Sequence, residues 1–211
     1  MKSNLDLSLY LVTDPKLSRG RTHEYIVEQA VKGGVTIVQL REKELSSRVF
    51  YELAKSLMQL LRPLHIPLII NDRIDIAMAV DADGLHIGQR DLPYAIARKM
   101  MGKDKIIGLS VETIAQARVA NELDVDYIGL SPVFSTNTKK DINTPLELSG
   151  VREIMGITKH KTVAIGGINS SNAESVLQAG VDGIAVVSAI VSQENPQEAA
   201  LRLASLIRDN K

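Results

Sequence analysis

The sequence predicts an α/β protein folded as a single (β/α)8 barrel with short loops, one domain over residues 1–211. Eight short apolar runs, rich in Val and Ile, recur along the chain and most do not alternate cleanly with polar residues. Such runs suit parallel strands buried on both faces. Helical patterns lie between them, which leaves a closed barrel or a doubly wound open sheet. The count of eight favours the barrel, and a chain near the lower length limit of that fold implies spare loops.

Taken in order, the strands fall at residues 9–12, 35–40, 67–70, 84–87, 106–109, 127–130, 162–165 and 183–187. Ile26, Val27, Ala30 and Val31 give a helical stripe after the first strand. Val49, Phe50, Leu53, Leu57, Leu60 and Leu61 do so along a longer helix after the second. Ala173, Val176 and Leu177 mark a helix after the seventh strand, and Ala199, Leu203, Leu206 and Ile207 a last amphipathic one. Gly33, Gly34 and Gly180 follow helices, where a left-handed cap is wanted. Ser170 or Ser171 is placed to cap the helix after the seventh strand.

Composition excludes several classes. Lys plus Arg and Asp plus Glu are 25 each, so the formal net charge is zero and the basic excess of a nucleic-acid binder is missing. There are no cysteines, which removes disulfides, thiolate metal sites and a Cys nucleophile. Aromatic residues are 3% with no Trp, so stacking platforms for single strands are not expected. No apolar run approaches ~18 residues, and residues 1–9 lack a long apolar core. A cytoplasmic protein without membrane partners is therefore expected. An oligomer is compatible with the sequence, which carries no signal for one.

The ends of the strands are the informative feature. They read Thr13-Asp14, then Gln39 to Lys43, Asn71-Asp72-Arg73, Gly88-Gln89-Arg90-Asp91, Ser110, residues 131–141, Gly166-Gly167 and Ser188. In a parallel barrel these ends meet on one rim, the usual place of catalysis. Arg41 and Lys43, two residues apart, can both face the axis and hold a diphosphate. The competing reading is a surface salt-bridge face with Glu42 and Glu44. Asp72 and Asp91 follow adjacent strands and are candidate ligands for Mg²⁺, which takes one or two carboxylates together with phosphate oxygens. The competing reading is helix capping, before residues 74–80 and at Pro93.

The polar loop Ser135-Thr136-Asn137-Thr138-Lys139-Lys140-Asp141 can cradle a phosphate and lie over the site. Gly166-Gly167 after the seventh strand, with Val187-Ser188 after the eighth, matches the place where barrels bind phosphate through backbone N–H groups. His86 reads as a barrel-wall residue, and His23, His65 and His160 as solvated residues on helices or connectors. There is no Ser-His-Asp arrangement, zinc spacing or GxGxxG.

With these motifs in order, the chain resembles the thiamin-phosphate synthase family from Leu9 to about Ala189. The resemblance rests on Gln39-Leu40-Arg41-Glu42-Lys43, Asn71-Asp72-Arg73, residues 83–89, Gly108-Leu109-Ser110, residues 136–141 and residues 164–168. It implies a TIM barrel that joins hydroxymethylpyrimidine diphosphate to thiazole monophosphate, releasing pyrophosphate. It also implies that Gln39, Leu40, Arg41, Glu42, Lys43, Asn71, Ser110 and Lys139 hold the pyrimidine diphosphate. Of these, Arg41, Lys43, Ser110 and Lys139 are expected to act in catalysis. By the same resemblance Asp72 and Asp91 hold Mg²⁺, and Thr136, Asn137, Thr138, Gly167, Val187 and Ser188 hold the thiazole phosphate. Two departures stand out: Ser110-Val111-Glu112 replaces a common Ser-x-His, and Ser131-Pro132 and Ser135 replace a common Gly-Pro and Pro. The related alternatives are a thiazole tautomerase-like protein and a non-catalytic phosphate-binding barrel. The intact loop and the Arg/Lys/Asp set favour the synthase.

Overall fold

Eight parallel strands close into a barrel in chain order, with β8 returning to pair with β1 through Leu9↔Ile184, Tyr10↔Ala185 and Leu11↔Val186 in this computed structural model, which describes residues 5–136 and 144–210. The strands are β1 Leu9–Val12, β2 Ile37–Leu40, β3 Leu68–Asn71, β4 Gly84–Ile87, β5 Ile106–Val111, β6 Tyr127–Leu130, β7 Thr162–Ile165 and β8 Gly183–Val186. Around them run α1 His23–Lys32, α2 Ser47–Leu61, α3 Ile74–Ala79, α4 Tyr94–Met101, α5 Ile114–Ala120, α6 Glu147–Met155, α7 Ala173–Leu177, α8 Ser188–Val191 and α9 Pro196–Asp209. Every strand falls within two residues of its predicted bounds at each end. No helix among the described residues is long and apolar enough to cross a membrane.

The period of two along each strand divides the core into two layers. Leu9, Leu11, Val38, Leu40, Leu68 and Ile70 face outward into the helices, in one continuous cluster with residues such as Ile26, Phe50 and Leu57. Tyr10, Val12, Ile37, Ile69, Ile106 and Tyr127 face inward and fill the barrel. Both faces are apolar, which is why the runs lack polar alternation. Burial of each such side chain contributes roughly 1.5–3 kcal/mol.

The bottom of the barrel repeats one device four times. The residue before each even-numbered strand accepts a backbone N–H from the preceding odd strand: Thr36 Oγ1 from Leu9, Asp83 from Leu68, Asp126 from Ile107 and Asp182 from Thr162. These distances are 2.8–3.2 Å. Each bond stabilises strand pairing by about 0.5–1.5 kcal/mol, and the opposite end of the strands is left for polar side chains with other tasks.

The helix ends follow the sequence in part. Thr22, Thr113 and Asn195 cap α1, α5 and α9 through their side chains. The two glycines after α1 divide the work. Gly34 has φ of +100°, the left-handed conformation expected, whereas Gly33 has φ of −86° and serves packing. A Cβ on Gly33 would lie 2.4 Å from the Gln197 carbonyl and 2.6 Å from the Ala200 Cβ of α9. The cap expected of Ser170 or Ser171 is absent: Asn172 stands at that position without a capping bond. Ser171 instead donates its N–H and hydroxyl to Asn169 Oδ1.

Candidate active site

The strand ends converge on a cavity of about 730 Å³ at the C-terminal mouth of the barrel. Gln39, Arg41, Lys43, Asn71, Asp72, Asp91, Ser110, Thr136, Gly167, Val187 and Ser188 all line it. Leu40 and Glu42, expected with them, do not. The alternation that turns residues 39, 41 and 43 inward turns 40 and 42 outward, so Leu40 packs among the helices. Glu42 Oε1 lies 2.8 Å from His23 Nε2, off the angle of a hydrogen bond, and both atoms are buried. Burial raises the Glu42 carboxyl above the usual carboxylate range, and burial likewise depresses His23. His23 is thus a largely buried ring rather than a solvated residue. Asn137, Thr138 and Lys139 lie outside the described residues.

The salt-bridge reading of Arg41 and Lys43 with Glu42 and Glu44 is replaced by other pairings. Arg41 reaches Asp14 Oδ2 at 3.3 Å, and its backbone N–H is held by Thr13 Oγ1 at 3.0 Å. Lys43 pairs with Asp72, while Glu44 pairs with Lys16 away from the cavity. Both cations therefore stand on carboxylates at the mouth.

Asp72 does not cap α3. Its backbone adopts φ of +60°, which Asp tolerates better than most residues, and Arg73 takes the cap position without a side-chain bond. Such a conformation costs on the order of 1–3 kcal/mol and persists only where its surroundings enforce it. Here Asp72 N–H donates to the His86 carbonyl at 2.9 Å and its own carbonyl accepts from Ile74 at 3.0 Å. Asp91 does not cap α4 either, since its Oδ2 accepts the Gly88 N–H at 2.7 Å. The two carboxylates interact directly. Burial raises the Asp72 carboxyl above its ordinary range, Asp91 pushes the same way, and Lys43 opposes them. Among the described residues no cluster of three potential ligands forms a closed metal cage. A pair of hard oxygen donors open to a ligand's phosphate oxygens fits Mg²⁺, which seldom takes an all-protein cage.

The opposite wall carries little charge. Gly166 and Gly167 have φ of +110° and +66°, and a Cβ on Gly167 would lie 2.8 Å from both Phe134 Cβ and the Ser135 carbonyl. The Gly167 carbonyl accepts from Asn172 Nδ2 at 3.0 Å, which steadies the turn. Glycine here serves both the left-handed backbone and the close passage of the loop after β6.

The floor of the cavity is polar too, which no strand-end motif marks. Tyr10 and Tyr127 lie at its base and His86, Ser110 and Gln39 rise from it, joined by hydrogen bonds of 2.8–3.0 Å. His86 is a strand residue as expected, yet its ring faces the cavity. The available signal was parity: Tyr10 sits an odd step from the outward Leu9 and Leu11, and Tyr127 has the same parity as Ser131.

A closed (β/α)8 barrel whose C-terminal rim gathers cations, paired carboxylates and glycine turns around one cavity defines a barrel enzyme with its active site in the usual place. A thiamine monophosphate synthase family profile matches residues 9–190. The thiamine-phosphate synthase of Syntrophomonas wolfei is 50% identical over 207 residues, covering 98% of this chain and 99% of that one. That of Clostridium novyi is 47% identical over 203 residues, covering 96% of this chain and 100% of the relative. The solved thiamine phosphate pyrophosphorylase from Pyrococcus furiosus superposes with a TM-score of 0.89 at 38% identity, covering 97% of each chain. The chain belongs to the thiamine-phosphate synthase family, a family of transferases.

Proposed function

We propose that the chain transfers the pyrimidinylmethyl group of 4-amino-2-methyl-5-hydroxymethylpyrimidine diphosphate to the nitrogen of 4-methyl-5-(2-phosphoethyl)thiazole. The observation that carries this reading is the division of one 730 Å³ cavity into two unlike walls. The ends of β2 to β4 bring Arg41, Lys43, Asp72 and Asp91, which suit a diphosphate with its counter-ion. The ends of β6 to β8 bring Thr136 and the backbone at Gly167, Val187 and Ser188, which suit a monophosphate held by neutral donors.

In this scheme the methylene C–O bond breaks and its electron pair leaves with pyrophosphate. The aminopyrimidine ring stabilises the methylene cation, and the thiazole nitrogen lone pair then forms the C–N bond. Asp72 and Asp91 would hold Mg²⁺, which when bound supplies neutralising charge to the leaving group. Arg41 and Lys43 stabilise the same developing charge by hydrogen bonds and proximity, with Lys139 proposed to join them. Asn71, Gln39 and Ser110 orient the pyrimidine portion. No protein nucleophile is needed for this transfer.

The deciding experiment incubates purified protein with both substrates and Mg²⁺ and follows thiamin phosphate by mass spectrometry. Formation of product at a rate proportional to enzyme is expected. No product from verified substrates, or turnover of the thiazole phosphate alone, would replace this reading with a tautomerase-like or non-catalytic one.

A further inference from the structure

The polar side chains in the barrel floor form one connected series. Gln39 Nε2 lies 3.0 Å from Tyr10 Oη, which lies 2.8 Å from Tyr127 Oη. Tyr127 Oη is 2.9 Å from His86 Nδ1, and His86 Nε2 is 2.9 Å from Ser110 Oγ. The series crosses the barrel through β2, β1, β6, β4 and β5, so it exists only because the sheet closes.

Counting hydrogens gives it a direction. The Gln39 amide nitrogen can only donate, so Tyr10 Oη accepts from it. If Tyr127 also donated to Tyr10, the single Tyr10 hydrogen would need a third partner, and the described residues provide none. Tyr10 is 1% exposed, so an unpaired hydroxyl there would be costly. Tyr10 therefore donates to Tyr127, and Tyr127 donates to His86 Nδ1. The imidazole carries its proton on Nε2 and donates to Ser110 Oγ, which leaves the serine its own hydrogen to give.

We propose that Gln39, Tyr10, Tyr127 and His86 form a one-way hydrogen-bond relay that holds His86 in the Nε2–H tautomer and turns the Ser110 hydroxyl hydrogen toward an acceptor atom of the pyrimidine diphosphate. The identity of that ligand rests on the function proposed above; the direction of the relay does not. A serine hydroxyl otherwise rotates freely, and fixing it before binding removes part of the cost of ordering it. The backbone is shaped for the arrangement. Gly108 stands beside Tyr127, and a Cβ there would lie 2.1 Å from the ring Cζ. The Ser110 carbonyl is held by Gln89 Nε2 at 2.6 Å. Burial pushes both phenols well above the ordinary tyrosine range, so each remains a donor with one hydrogen. The tyrosines and His86 are positioning residues, and Ser110 is the group that touches substrate.

Two measurements test this. Long-range ¹H–¹⁵N correlation on ¹⁵N-histidine protein, with His86 assigned by the loss of its signals in His86→Asn, reads the tautomer without any substrate. The Nε2–H pattern is expected; an Nδ1–H pattern reverses the relay and overturns the proposal, whatever reaction the enzyme performs. The second measurement is KM for the pyrimidine diphosphate. Tyr127→Phe and Ser110→Ala should each raise it about tenfold, the effect of one lost hydrogen bond to a charged ligand. The double variant should be no worse than the more severe single one. Multiplying losses would mean that Tyr127 supports the barrel independently of Ser110, and would overturn the coupling.

Discussion

Lys43 Nζ is paired with Asp72 Oδ2 across the ends of β2 and β3, so a candidate diphosphate cation rests on a candidate metal ligand. The lysine side chain is 52% exposed, and a pair this open contributes only ~0–1 kcal/mol to stability. Its worth lies in placement: it keeps a positive charge beside two interacting carboxylates until a polyanion arrives.

Asp72→Asn and Asp91→Asn should each lower kcat/KM at least tenfold, with circular dichroism unchanged, because neither side chain belongs to the apolar core. An amide at residue 91 can still accept the Gly88 N–H, so the turn is kept. Raising Mg²⁺ should recover part of the activity. Normal turnover by both variants would place the metal elsewhere.

Removing the guanidinium by Arg41→Ala should have two separable effects. Asp14, buried to 6% exposure, loses its cationic partner, with a stability cost of roughly 1–3 kcal/mol by denaturant unfolding. Affinity for pyrophosphate should fall about tenfold to hundredfold, the scale of one charge-assisted interaction, while affinity for the thiazole monophosphate changes little. Titration calorimetry with and without EDTA reads both ligands. Equal losses for the two would show one shared anion pocket.

Gly167→Val should show the reverse selectivity. Its backbone at φ of +66° resists a β-branched side chain, and the added carbon collides with Phe134 and Ser135. The loop after β6 must shift, so monophosphate binding should weaken by at least about tenfold while pyrophosphate binding persists. The same calorimetry checks it, and unchanged monophosphate affinity would remove Gly167 from that site.

His23 supplies a pH dependence. Burial depresses its folded value below the ordinary 6.5, so the unfolded chain binds the proton more readily. Its contribution to stability is complete above 6.5 and is lost as pH falls through 6.5 toward the depressed folded value. Glu42, raised by burial, contributes in the opposite sense: its share is present below the ordinary carboxylate value and declines as pH rises through the raised one. The difference in unfolding free energy between His23→Gln and wild type should therefore move in favour of the variant as pH falls below 6.5. Parallel curves from urea titrations at pH 5 to 8 would remove His23 from the balance.

Arg41, Lys43, Asp72 and Asp91 were visible in the sequence because charged side chains directly after apolar runs have few structural uses. Leu40 and Glu42 were misplaced with them because a contiguous motif hides the alternation that separates its members. Tyr10 and Tyr127 carry no such mark, because a tyrosine inside an apolar run reads as core, and both side chains are in fact buried there.

The barrel, its strand bounds and the rim on which chemistry falls are readable from the chain alone. Those follow from local period, strand count and the one-way direction of parallel strands, all of which are carried by short stretches of chain. Which side chains meet is set by the closed barrel: Lys43 with Asp72, Asp72 with Asp91, and Gln39 with Ser110 through two tyrosines and a histidine. These contacts join residues up to 117 positions apart, as Tyr10 and Tyr127 are. Closure of the sheet sets their distances, and no local propensity encodes a distance between strands that are remote in sequence.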